Sequence, residues 1–299
     1  MCVWNTSHLL KRSLETYIRQ DFPKDDWELI IIDDNSEDDV LNTILPYTDK
    51  LNIRYKRLDH NYGMRGNTVA FNTGFEMAKG DVLAETTPEI LLPPQTIKRL
   101  YEEHVYNERA FVAIKTYNLV YETQMLIDTV DWKSDIMNIS KLPGWDDPIT
   151  QANAHNVNFR THQLCSIKAK VFWEITKGYG FPLFGDYGSE DPWYSGRREQ
   201  FNPIVDNITV MDFMAIHQWH MPFQFWMSKG RAPMLNKWAH SMENYLHDKT
   251  GEVPAGGSCQ IWDAGSHEML TEQDRINWMA FDDKVINTGV YEHIVKRLK

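Results

Sequence analysis

Cysteine is scarce: three among 299 residues, at Cys2, Cys165 and Cys259. An odd number so widely spaced excludes a disulfide framework and a zinc knuckle, and points to a reduced, cytosol-like compartment. Long apolar runs are missing too. Leu29-Ile30-Ile31-Ile32 is typical of the longest, far below the ~20 residues of a membrane helix. Residues 1–20 hold no apolar core of a signal peptide. The expectation is a cytoplasmic protein with no transmembrane segment. Basic residues are the minority, 31 Lys and Arg against 42 Asp and Glu, for a net charge of −11. That balance excludes nucleic acid and an anionic membrane as natural partners. An anionic ligand would have to be met locally, by a metal ion or by helix N-termini. There is no internal repeat and no low-complexity stretch, and only Gly251 to Gly257 resembles a linker.

What is present is ordinary globular composition, 42% hydrophobic and 24% charged. Residues 8–20 carry Leu9, Leu10, Leu14, Tyr17 and Ile18 at helical spacing. Trp27 to Ile32 is a continuous β-branched run, the look of a strand buried on both faces. It stops at Asp33-Asp34-Asn35-Ser36-Glu37-Asp38-Asp39, a turn and cap cluster. A helix over 40–47, a strand over 52–57, a helix over 67–79 and a strand over 82–84 follow. Strand, helix, strand, helix, strand argues for an α/β fold with a mainly parallel sheet, which binds ligands at the carboxyl ends of its strands. Beyond these, the pattern predicts a helix over 95–105 and a strand over 110–121. A long polar loop is expected over 122–163, then strand into helix over 164–175. A Gly/aromatic loop over 178–188, a strand over 208–216 and helices over 232–248 and 271–298 complete the reading.

Five segments carry candidate chemistry. Asp33 and Asp34 end a buried strand, placed to accept hydrogen bonds from a base or a ribose; the same residues also read as helix caps. Asn61-Tyr-Gly63, with Ala70-Phe-Asn72-Thr-Gly74 and Gly80-Asp81, allows close backbone approach or simple helix packing. Glu85-Thr86-Thr87-Pro88-Glu89 follows a strand and offers the oxygen ligands that Mg²⁺ or Mn²⁺ prefers, or else forms a solvated turn. Glu190-Asp191, in a Gly/aromatic setting, suits a general base and a hydroxyl clamp, or caps a helix begun by Pro192. His217-Gln-Trp-His220 closes a strand. Residues three apart on a strand face opposite ways, so His217 and His220 meet one ion only if the chain leaves the strand between them. Otherwise both are structural histidines.

In order and spacing these segments resemble the family 2 glycosyltransferases of GT-A fold. The likeness runs from Val3-Trp4-Asn5 through Ile30-Ile31-Ile32-Asp33-Asp34-Asn35-Ser36-Glu37-Asp38, similar to the family's strand and Asp-Asp-Gly-Ser-x-Asp. It continues through Ala70-Phe-Asn72-Thr-Gly74, Ala78-Lys-Gly80-Asp81 and Leu164 to Phe172. It ends at Gly188-Ser-Glu190-Asp191-Pro-Trp-Tyr-Ser-Gly-Arg197, similar to Gly-x-Glu-Asp…Arg, and covers residues 3 to 220. The resemblance implies a Rossmann-like, mainly parallel sheet flanked by helices. It implies a nucleotide-sugar half over 1–110, an acceptor half over 111–220, and a helical extension or lid over 221–299.

It also implies roles. Asp33, Asp34, Asn5, Arg65 and Thr87 would bind the nucleotide. Asp191 would be the base that deprotonates the acceptor hydroxyl, with Glu190 orienting it. Trp193 and Trp219 would pack on a carbohydrate acceptor. Glu89, His217 and His220 would hold Mn²⁺ or Mg²⁺. The donor would be a nucleotide sugar, UDP-linked first of all, and transfer an inverting single displacement. Two departures stand out. The family's Asp-x-Asp falls on Thr87-Pro88-Glu89, so only its second carboxylate survives, and the family's Ala-Arg-Asn arginine is Phe71. A GT-A fold that only binds sugar or nucleotide is the alternative. A nucleotidyltransferase would carry glycines in a basic loop on the first strand, and residues 3–12 have none.

Overall fold

The computed structural model describes residues 1–58, 68–148, 150–151, 164–174 and 206–220. The expected loop over 178–188, the helices over 232–248 and 271–298, and Arg65, Glu190, Asp191 and Trp193 lie outside the described residues. The chain divides into two compact units. The first comprises Met1–Asp59, Met77–Ala169 and Asp206–Met221; the second comprises His60–Glu76, Lys170–Val205 and Pro222–Lys299.

The first unit begins with a parallel sheet. β1 (Cys2–Val3), β2 (Leu29–Asp33) and β3 (Ile53–Arg57) lie in the order β1-β2-β3. All five residues of β2 are buried, as its unbroken aliphatic run predicts. α1 (Ser7–Tyr17) and α2 (Val40–Ile44) are the crossover helices. α1 buries Leu9, Leu10, Leu14 and Tyr17 on one face, the i, i+1, i+5, i+8 stripe of an amphipathic helix. Its own N-cap residue Thr6 makes no side-chain cap. Asp38 does that work instead, its Oδ2 accepting from the Ser7 backbone N–H at 2.7 Å.

The second sheet holds five strands in the order β4-β7-β6-β8-β5. They are β4 (Val82–Thr86), β5 (Ile90–Leu91), β6 (Ala110–Asn118), β7 (Leu164–Lys168) and β8 (Asp206–His217). β6 and β8 pair in parallel; the other three pairings are antiparallel. β4 therefore joins β7 rather than extending the first parallel series. α4 (Thr96–Tyr106) packs on this sheet, with Leu100 and His104 buried. One apolar core unites both sheets, from Ile31 and Leu14 to Val112, Ile114 and Val210. No helix among the described residues is long and apolar enough to cross a membrane.

The loop expected over 122–163 is helical in its first part, a correction. α5 (Tyr121–Leu126) and short 3₁₀ turns at Ile127–Thr129 and Ile136–Lys141 close over Leu119, Ile127, Trp132, Ile136, Ile139 and Leu142. Elements of three to six residues are too short to show a 3.6-residue period. The Asp and Asn that look loop-like are their fastenings: Asp135 accepts from Met137 N–H, and Asp128 from Trp132 Nε1. Gly144 has φ +82°, and a Cβ there would lie 2.6 Å from Thr123 Oγ1 and 2.7 Å from Val120 Cγ2, so only glycine fits.

In the second unit the described residues form most of α3 (Thr68–Met77) and of α6 (Ala169–Glu174). Phe75 meets Phe172 edge-on at 4.8 Å and stacks with Phe71 at 6.3 Å. Position 71, where the family places arginine, thus carries a buried ring.

His104 gives the first unit a pH response. Its Nε2 lies 2.8 Å from Ser166 Oγ, and its Nδ1 is buried without a hydrogen-bond partner among the described residues. Loss of water, aided by the Lys168 charge, pushes its pKa down to about 4 from 6.5. The folded state therefore prefers neutral imidazole. This contribution is whole above pH 6.5 and is lost as pH falls towards 4, with a slope of at most about 1.4 kcal/mol per pH unit. Urea midpoints are expected to drop between pH 6.5 and 4.5, with a shallower drop in His104→Gln. Equal slopes in the two proteins would remove His104 as the cause.

Candidate active site

The carboxyl end of β2 turns sharply. Asn35 has φ +62° and Asn5, on the adjacent β1 exit, φ +54°. Asparagine tolerates this left-handed region better than other residues with a Cβ, which is how position 35 replaces the glycine of the related motif. Asp33 is fully buried. Its Oδ1 accepts from Ser36 N–H at 2.8 Å. Its Oδ2 accepts from Tyr55 OH at 2.8 Å and from Arg57 Nη1 at 3.1 Å. Arg57 Nη2 also donates to Asn35 Oδ1 at 2.8 Å and to the Ser36 carbonyl at 3.0 Å. Asn5 completes the clasp: its N–H donates to Ser36 Oγ at 3.1 Å, and its Oδ1 accepts from Glu37 N–H at 2.6 Å. Asp34 is buried beside Asp33, its N–H bonded to the Val3 carbonyl at 2.8 Å. Asp33, Asp34 and Asn5 thus form one knot. Tyr55 and Arg57 belong to it, although by sequence they read only as strand residues.

A second group forms where β5 meets β8. Ile90 is in register with His217, and Gln218 N–H donates to the Glu89 carbonyl at 2.9 Å. β8 ends at His217, so the chain does leave the strand before His220. The two imidazoles then lie side by side, with ring centroids 5.2 Å apart and planes at 53°. Loss of water, then the neighbouring His220, pushes the His217 pKa down to about 3 from 6.5. The ring is neutral near pH 7 and keeps a lone pair for a cation. Glu89 is buried. Thr87, in the β4–β5 connection, has its Oγ1 buried with no hydrogen-bond partner. Trp219 is half-buried; its ring meets Tyr121 edge-on at 4.9 Å, and its N–H donates to Gln124 Oε1 at 3.0 Å.

The first turn of α1 joins the two groups. Ser7 N–H holds Asp38, and the Leu9 carbonyl accepts from Gln218 Nε2 at 3.2 Å. Between them His8 has its pKa lowered, mainly by burial, while the charges of Asp38, Glu89 and His220 reach it as well. Sequence periodicity marks His8 only as a helical residue. Three buried oxygens around this turn, Thr6 Oγ1, Ser7 Oγ and Asp38 Oδ1, have no hydrogen-bond partner among the described residues. Among the described residues, no three His, Cys, Asp or Glu are grouped to hold a metal by themselves. Two imidazoles lie together at the end of β8, an incomplete set for a divalent cation.

The model of the family described as "Glycosyl transferase family 2" matches residues 1–176. Poly(ribitol-phosphate) beta-N-acetylglucosaminyltransferase TarP of Staphylococcus aureus (strain N315) is 34% identical over 103 residues, 34% of this chain and 30% of that protein. TarS of the same species (strain Mu50) is 27% identical over 95 residues, 32% of this chain and 16% of its own length. Validoxylamine A glucosyltransferase of Streptomyces hygroscopicus (subsp. jinggangensis) is 31% identical over 101 residues, 34% of this chain and 24% of that protein. The matched stretch is thus less than a third of each relative. In structure, S. aureus TarS 1–349 aligns with TM-score 0.53 at 14% identity, covering 80% of this chain and 63% of that one. Its complex with UDP gives the same score and identity, over 93% and 76%. At such identity the structural likeness speaks for the fold, which is of GT-A type. With more than half its length matched by the family model, the chain belongs to glycosyl transferase family 2.

Proposed function

We propose that the protein transfers a sugar from a nucleoside-diphosphate donor, UDP-linked first of all, to a hydroxyl of a carbohydrate acceptor, with inversion. The observation that carries this reading is the double tether of α1. One turn of one helix is bonded to the Asp33–Asp38 knot on one side and to the His217–His220 turn on the other. A nucleotide sugar needs both a hydrogen-bonding clasp for its nucleoside and compensation for its diphosphate.

Asp34, Asn5 and Thr87 are the nucleoside and ribose contacts in this proposal, with Asp33 shaping the turn that presents them. Arg65 is the cation available to the phosphates. His217, His220 and Glu89 would hold Mn²⁺ or Mg²⁺, which when bound neutralises charge on the departing diphosphate. The α1 N-terminus presents the positive end of the helix dipole, already met in part by Asp38 at the Ser7 N–H. Asp191 takes the proton of the attacking hydroxyl, and Glu190 orients that hydroxyl. Trp193 supplies an aromatic face to the acceptor. Trp219, whose ring already meets Tyr121, contributes chiefly by packing beneath the histidine turn. This division suits an acidic chain, in which carboxylates face hydroxyls and the cation faces phosphates.

The test is a thermal-shift and product panel: UDP-, GDP-, CMP- and dTDP-sugars, each with and without Mn²⁺. A donor present at a hundredfold over its Kd is expected to stabilise the fold by about 2.7 kcal/mol, and the UDP-sugars are expected to do so best with Mn²⁺. Release of UDP should follow when a glycan acceptor is added. If no sugar nucleotide moves the melting point, the donor reading is wrong. If binding occurs and no nucleoside diphosphate is ever released, the fold serves recognition alone.

A further inference from the structure

The sheet carries only part of the turn that pairs His217 with His220. β8 ends at His217, and a backbone bond from Gln218 N–H to the Glu89 carbonyl continues the pairing one residue beyond it. Two glutamine side chains hold the rest of the turn. Gln218 is completely buried between the two histidines in sequence. Its Nε2 donates to the Leu9 carbonyl in the first turn of α1, 209 residues earlier, at 3.2 Å, while its backbone N–H donates to the Glu89 carbonyl at 2.9 Å. Gln124, on α5 and also buried, accepts the Trp219 N–H on its Oε1 at 3.0 Å. One amide therefore ties the turn to α1 and the other to α5. Its three residues are fixed from both sides.

Gln218 carries a second peculiarity. Its Oε1 is buried and has no hydrogen-bond partner among the described residues. An orphaned buried acceptor costs free energy, and a residue chosen only for packing would not bring one.

We propose that Gln218 and Gln124 are positioning residues for the His217–His220 pair. They hold the turn that brings the imidazoles together. The inference rests on the metal role proposed above for these histidines. Neither glutamine touches the donor; each acts through the rings.

The test compares the wild type with Gln218→Met, Gln124→Met and His217→Ala. Methionine keeps length and apolar volume but removes the amide. Mn²⁺ binding is measured by the loss of the free-ion EPR signal, in the presence of UDP, and melting points are taken without metal. Both glutamine variants are expected to raise the Mn²⁺ concentration at half-saturation by tenfold or more, within the range of outer-shell substitutions. Gln124→Met serves where Gln218→Met fails to fold. If both lower the melting point and leave half-saturation unchanged, the glutamines are merely structural and the proposal is overturned. Should the wild type take up no Mn²⁺ with UDP, or His217→Ala bind it equally well, the metal role itself fails and the positioning role falls with it. The outcome in which only His217→Ala loses Mn²⁺ removes the positioning role alone.

Discussion

Replacing Asp33 by alanine is expected to cost about 3 kcal/mol of stability and to abolish donor binding. The carboxylate is fully buried and collects three hydrogen bonds, from Ser36 N–H, Tyr55 OH and Arg57 Nη1. Removing it strands three donors at once. An orphaned buried group costs about 1–3 kcal/mol, and an unpaired buried charge about 3–5 kcal/mol. The Arg57 side chain is 40% exposed and can turn to water, which keeps the total near the lower figure. The functional loss is larger than the loss of one contact, because Asn35 at φ +62° is held by the same arginine. Without the Asp33 carboxylate, the left-handed turn that sets Asp34 and Asn5 loses its buried anchor. Urea denaturation and a UDP-sugar thermal shift measure the two effects. Arg57→Ala, which leaves two of the three bonds to Asp33, is expected to cost about 1 kcal/mol and to weaken donor binding without abolishing it. Asp33→Ala losing under 1 kcal/mol would show that the turn is set by something else.

The contrast between Asp33 and its partners shows what the sequence could reveal. A β-branched run ending in Asp-Asp-Asn-Ser announces a buried strand and a turn, because both signals are local. The parity of a β-strand likewise decided what His217 and His220 would need. The structure meets that condition, since the strand stops between them. What could not be read was any tie made by side chains distant in the chain. Tyr55 and Arg57 look like alternate strand residues, and nothing near them states that they close on Asp33, 22 and 24 positions earlier. Gln218 reads as filler between histidines until its bond to Leu9 is seen.

The second sheet was hidden for the same reason. β4 has the composition of another parallel strand, and its partner β7 lies eighty residues on, beyond the reach of periodicity. The helices over 121–141 failed differently. Their turns are too short to show a helical period, and the segment passes for loop while burying Trp132, Ile136 and Ile139. Thr87-Pro88-Glu89 leads straight into β5, whose Ile90 is in register with His217.

Asp191→Asn is expected to lower the transfer rate by 10²- to 10⁴-fold, the usual contribution of a general base, while leaving donor binding intact. Asparagine keeps the size and hydrogen-bonding outline of the side chain and cannot take a proton. The groups proposed for the donor are elsewhere in sequence, at Asn5, Asp34, Arg65, Thr87, Glu89, His217 and His220, with Asp33 shaping the turn. The melting-point rise given by a UDP-sugar with Mn²⁺ should therefore match that of the wild type. Glu190→Gln separates the neighbouring role. A residue that orients the acceptor hydroxyl is expected to raise the acceptor KM more than it lowers kcat, whereas loss of the base lowers kcat at every acceptor concentration. The adjacent carboxylates make the comparison sharp, because both variants remove one negative charge from the same dipeptide. A shared electrostatic effect would move both in parallel; distinct roles move different parameters. Turnover of Asp191→Asn within a few-fold of the wild type would take the base away from this residue, and with it the reading of Gly188-Ser-Glu190-Asp191 as the acceptor motif.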